Sequence, residues 1–217
     1  MKPLAMKPQS SAATWIQLSF AASIGLAVAV LVVAGTDEHG TGLALMATAR
    51  LAFLPFWLAY AGAALVVLFG PALQPVQRHA REFGLAFAVM ELVHLGLVAW
   101  LCLIGHAPDI RTFVLFGTAV LWVCLLTLFS IASLRRMLGS VGWWLLRVTG
   151  MNYLAYAFAV DFLRHPLAGG LKHAVLYWPF AALAITGPGL RLAAVVQRIA
   201  HRSNLSPATP AGMGTKL

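Results

Sequence analysis

Apolar residues run along this chain in six long blocks, separated by short stretches that carry charges, glycine or proline. The blocks cover residues 14–34, 43–69, 83–104, 112–134, 143–163 and 173–196. A helix needs roughly 20 apolar residues to cross the hydrocarbon core of a bilayer. The pattern therefore predicts an all-α, polytopic integral membrane protein, a bundle of six transmembrane helices spanning residues 14–199. Residues 1–13 precede it, and residues 200–217, rich in Pro, Ala, Thr and Gly, read as a disordered tail. The first block exceeds the roughly 7–15 apolar residues of a secretory signal, and no small-x-small cleavage site precedes Asp37, so it is read as a membrane helix. No internal repeat is evident.

Composition agrees. Of 217 residues, 61% are hydrophobic and 10% charged, against about 25% charged in soluble domains. The linkers are too short for a nucleotide-binding domain, and no Gly-x-Gly-x-x-Gly or P-loop pattern occurs. A net charge of +9 would suggest nucleic acid in a soluble protein, but its placement excludes that reading. Lys2 and Lys7, Arg78 and Arg81, Arg135 and Arg136, and Arg191, Arg198, Arg202 and Lys216 all fall on one set of ends. The other set holds Asp37, Glu38 and Asp109 against Arg111, Arg164 and Lys172. Lys and Arg accumulate in cytoplasmic loops. Both termini are expected inside, with six crossings and the lipid bilayer as the main partner.

Several features read as structural. Cys102 and Cys124 lie in apolar blocks without disulfide or zinc spacing, and are expected to act as small buried hydrophobes. Most tryptophans, with Tyr177, sit near block ends, as aromatic belts require. Ala59, Gly62 and Ala63 allow close helix packing. Asp37, Glu38 and His39 are adjacent in a turn and could touch a metal. Arg50 either snorkels to the interface or pairs with an anionic group such as a haem propionate. The Gly187, Pro188, Gly189 break is followed by a basic amphipathic segment that either finishes the last helix or lies on the membrane surface.

The candidate chemistry is intramembrane. Glu91 and His94 sit mid-block and three apart, on the face shared by Phe87, Met90 and Val98. Ionisable groups at such depth are costly and point to a site. Two readings stand for His94: a hydrogen bond to a facing helix, or a metal, haem or proton-relay role. The fifth block is polar, with Arg147, Thr149, Asn152, Tyr153, Tyr156 and Asp161. Glu91, Asn152, Tyr156 and Asp161 make a candidate polar network, with Asn152 and Tyr156 four apart. Asp161 is expected to cluster with Arg164 and His165 at the interface.

Three stretches between about residues 49 and 158 resemble the ferric reductase-like transmembrane domain family, whose bacterial members include the haem-binding membrane subunit of the methionine sulfoxide reductase system. The first is Arg78, Arg81, Gly84, Leu85 and Phe87 followed by His94. The second is Ser133 through Gly139 around Arg135 and Arg136. The third is Trp143 through Arg147 followed by Gly150, Met151 and Tyr153. The resemblance implies b-type haem, a metal centre in which His94 ligates the iron, and a bacterial inner membrane location. The family's second haem histidine is replaced here by Arg147, and the fifth block has no His. Met151 is then the best second axial ligand within reach, since a His–Met pair is chemically allowed. His106, His165 and His173 lie near the ends opposite the arginines. Arg50 and Arg147 would neutralise propionates or guide a quinol.

Three functions are expected from these residues. One is a membrane electron-transfer subunit, at most an oxidoreductase subunit fed by a separate redox partner protein or quinone. Another is a haem-free partner, sensor or assembly protein in which Arg147 pairs with Glu91. The third is a small proton-coupled transporter lined by Glu91, His94, Asp161 and Asn152.

Overall fold

The computed structural model describes residues 10–163 and 170–205, with side chains described at all of these except 10–12, 132, 170–176 and 202–205. Among the described residues the chain is all-helical, with no strand. Its helices are α1 (Ser10–Ala34), α2 (Glu38–Phe69), the single turn α3 (Gln74–Arg78), α4 (Ala80–Leu103), α5 (Ile110–Phe129), α6 (Ala132–Leu163) and α7 (Gly170–Leu205). Arg164, His165 and the final residues from 206 lie outside the described residues, as do the side chains of Lys172 and His173, so expectations placed on them stand apart from the structure.

Among the described residues, five helices are long and apolar enough to cross a membrane: all or part of α1, α2, α4, α5 and α7. The sixth expected crossing falls on α6, which is long but carries Arg147, Asn152 and Asp161 among its aromatic residues and misses that standard. The sides of the bundle are apolar, with Leu18, Val32, Val33, Phe113 and Leu121 all exposed. Soluble proteins rarely expose such surface. Cys102 and Cys124 are exposed on it rather than buried as expected, because their helix faces meet no neighbouring helix.

The element ends differ from the hydropathy blocks where polar residues are part of a helix. Asp37 caps α2 by accepting the Gly40 N–H at 2.9 Å, so α2 starts five residues before its apolar block. Asp109 caps α5 in the same way through Thr112 N at 2.8 Å. Carboxylate N-caps satisfy the free N–H groups of a first turn. The fourth block divides at Ser130, where α5 has ended and α6 is about to begin. Gly139, at φ +66°, interrupts α6, a backbone angle that glycine adopts without a Cβ penalty. The basic stretch before it is thus a separate helical piece. α7, in contrast, is helical through Pro188 to Leu205. The Gly187 to Gly189 stretch is therefore no break, and the basic amphipathic segment completes the last helix.

α2 is the hub, packed on α1, α4 and α7, while α6 joins α7 to α5. α5 approaches α4 only briefly. α2, α4, α5, α6 and α7 thus form a ring, and α1 lies outside it against α2 and α4. An aromatic cluster fills the middle. Phe53 meets Phe158 at a tilt and Phe162 edge-on, with ring centres 5.0 and 4.9 Å apart, and Phe56 meets Phe87 at 5.2 Å. Such pairs add about 0.5–1.5 kcal/mol each beyond burial. Gly187 lets α7 touch α2, since a Cβ there would lie 3.1 Å from Trp57 Nε1. Trp57 Nε1–H donates to the Leu183 carbonyl at 2.8 Å across this contact. Trp57→Phe is expected to cost only about 0.6 kcal/mol, the mean for interhelical hydrogen bonds in membranes. Thermal melting in detergent measures it, and a loss of several kcal/mol would show the contact to be a pivot of the fold.

Candidate functional site

The loose α4–α5 contact leaves two spaces inside the ring. The larger, about 510 Å³, is lined by Arg50, Glu91, His94, Asp161 and Tyr177 among mostly apolar neighbours. The smaller, about 330 Å³, is lined by Arg81, Arg135, Arg147 and Met151. Phe87, Val123 and Leu154 line both and form the partition. Chain direction puts the larger space towards the Asp37 end and the smaller towards the end where α4 and α6 begin.

His94 is held by α2. Its Nδ1 lies 3.1 Å from Thr48 Oγ1, and Thr48 is fully buried. The same Oγ1 lies 2.9 Å from the Ala44 carbonyl and 3.1 Å from the Leu45 carbonyl. Carbonyls only accept, and a threonine hydroxyl has one proton. That proton goes back to the preceding turn, as helical threonines allow. The hydrogen-bond network therefore assigns the ring proton to Nδ1, which donates to Thr48. Nε2 keeps a lone pair and has no hydrogen-bond partner among the described residues. This is the arrangement that prepares a ligating histidine, whose other nitrogen is normally tied by a hydrogen bond.

Glu91 lines the same space and has no hydrogen-bond or ion-pair partner among the described residues. Arg50 was expected either to snorkel to the interface or to pair with an anionic group. The Asp37 cap lengthens α2, so Arg50 lies twelve residues inside it. Its guanidinium sits 4.6 Å over the Tyr177 ring and 5.6 Å from that of Phe180. Its Nε and Nη2 are buried without a hydrogen-bond partner. Cation–π contact offsets some of that cost, and two donor nitrogens remain for an acceptor in the cavity. Tyr177 Oη donates weakly to Met46 Sδ at 3.8 Å, and Met46 lines the cavity too.

Other expected members lie elsewhere. Arg147 and Met151 line the smaller space, so Met151 does not oppose His94, and no Arg147–Glu91 ion pair forms. The cause is the register of α6, which puts Leu154, Ala157 and Phe158 beside the larger cavity. Asn152 belongs to a third group: it accepts from Tyr60 Oη at 2.8 Å and from Arg191 Nη1 at 3.3 Å, with Arg191 stacked 4.4 Å over the Tyr60 ring. Asn152 and Tyr156 do not pair. Tyr156 is 58% exposed and meets only the edge of Tyr153. The expected network thus reduces to Glu91 and Asp161 at the cavity. Asp37 is used as a cap, and Glu38 meets His106 at 3.0 Å, closing the end of the bundle. No group of three metal-ligating side chains occurs among the described residues.

Thr48 and Met46 were not singled out in the sequence, and Tyr177 was read there only as part of an aromatic belt. A threonine inside an apolar block was the available signal, since a hydroxyl there must find a partner. Comparison with known protein families, with curated proteins and with solved structures finds no match for this chain.

Proposed function

We propose that this protein is a membrane-embedded redox subunit that holds a flat, mainly apolar, carboxylate-bearing cofactor, b-type haem, in the larger cavity. The observation that carries the reading is His94, whose Nδ1 is committed to Thr48 and whose Nε2 remains a lone-pair donor beside a cavity of about 510 Å³. Pockets for cofactor-sized ligands run from about 300 to 1,000 Å³. The donor set fits haem at three points. His94 offers an axial nitrogen, the two orphaned donor nitrogens of Arg50 suit a propionate, and Met46 supplies a sulfur among the lining residues. Bound haem would supply one-electron transfer. The chain's own residues orient it, exclude water with the Phe87 and Phe158 walls, and neutralise its acid group. Electrons come from a separate donor protein or quinol, since the interhelical linkers are short. In this reading α6 is the sixth crossing, the arginine-rich ends face the cytoplasm of a bacterial inner membrane, and the fold is of the ferric reductase-like type.

A haem-free reading is favoured by one observation: only a single imidazole lines the cavity among the described residues. The cavity would then take an organic acid or quinone, and the protein would act as a partner or sensor.

An absorption spectrum separates them. Protein from cells given haem precursor is purified in detergent and measured oxidised and after dithionite. The expected result is a Soret band with sharp reduced α and β bands, lost in His94→Ala and shifted in Met46→Ala. A featureless visible spectrum from folded protein overturns the redox reading.

A further inference from the structure

The smaller space has a different chemistry and does not depend on what the larger one holds. Arg81 in the first turn of α4, Arg135 before the Gly139 interruption and Arg147 after it all line this one cleft. None of the three guanidinium groups has an ion pair or hydrogen bond among the described residues. Arg191 lies close enough to Arg147 for the two like charges to act on each other.

Among the described residues no carboxylate lines this cleft. The protein has six acidic residues. Asp37, Glu38 and Asp109 are occupied at the opposite end, and Glu91 and Asp161 line the other cavity. Glu82 faces His79 at 4.0 Å and is not part of the cleft wall. Permanent guanidinium charges gathered without a carboxylate call for an anion, and their planar forks match phosphate oxygens. Below the arginines the wall turns apolar, through Phe56, Phe87, Leu126 and Leu154, with Trp143 beside the charges. A basic rim over an apolar slot between membrane helices complements an acidic headgroup with an acyl tail. A free phosphate or a soluble phosphate ester satisfies the rim and leaves the slot unfilled.

We propose that this cleft binds an anionic phospholipid, its phosphate held by Arg81, Arg135 and Arg147 and its acyl chain lying against Phe56, Phe87 and Leu154.

The test uses the full chain in detergent, titrated with short-chain phosphatidylglycerol, short-chain phosphatidylcholine or sodium phosphate, and read by native mass spectrometry and tryptophan fluorescence. Phosphatidylglycerol is expected to bind at least about tenfold tighter than phosphatidylcholine, and less tightly as salt rises. Replacing all three arginines by glutamine is expected to weaken it on the order of 100-fold, and Arg135→Gln alone about fivefold. Should the triple variant fail to fold, the exposed Arg135→Gln decides. Equal binding of the two lipids overturns the proposal, as does unchanged affinity in the Arg135→Gln variant. Displacement of phosphatidylglycerol by an equal concentration of sodium phosphate shows a plain phosphate site, and also overturns it.

Discussion

Under the proposed haem reading, Thr48→Val is expected to weaken ligation by His94 by about 10- to 100-fold, the usual cost of removing the hydrogen-bond partner behind a ligating histidine. Valine keeps the shape of threonine and removes the hydroxyl that lies 3.1 Å from His94 Nδ1. The imidazole can then exchange tautomers and turn, so Nε2 offers its lone pair part of the time. Stability should change little, because the Ala44 carbonyl keeps its backbone partner in α2. The measurement is haem retained per protein, with affinity from titration of haemin into the apoprotein, beside a melting curve. Thr48→Ser should restore binding. Full affinity in Thr48→Val would mean that the hydroxyl does not set the ring.

The second large effect is on the fold. Gly40→Ala is expected to destabilise the protein by about 3 kcal/mol, at the upper end of the range for overpacking. A Cβ at Gly40 would overlap the Gly35 carbonyl, and backbone cannot move aside as a side chain can. The turn between α1 and α2 would open, taking with it the Asp37 cap at Gly40 N and the seat of α1 on α2 and α4. Gly42→Ala, two residues on, meets nothing within 4 Å and gains helix propensity. Melting temperatures in one detergent compare the two directly. Equal melting would show that the turn tolerates rearrangement.

The helices were legible from hydropathy because a bilayer imposes length and apolarity together. Their ends were less so, since the carboxylate caps at Asp37 and Asp109 lie outside the apolar blocks and had to be read as helix signals in their own right. Glu91 and His94 were legible as a site because ionisable groups are out of place in such a block. Their surroundings were not. Thr48, Met46 and Arg50 come from α2, Tyr177 from α7 and Asp161 from α6, and nothing in local spacing says how these helices are rotated against α4. That missing rotation placed Met151 and Arg147 beside His94 in the sequence reading, whereas the structure sets them behind Phe87 and Leu154.

Gly139 bears on this too. On an unbroken helix Arg135 and Arg147, twelve residues apart, would stand about 18 Å apart along the axis and about 120° apart around it. Gly139, with its positive φ, breaks the helix between them, and both arginines line one opening. The local charge density at this end of the protein is therefore written in a backbone angle as much as in the number of arginines. A residue with no charge, and no side chain at all, thus bears on where charge gathers at this end.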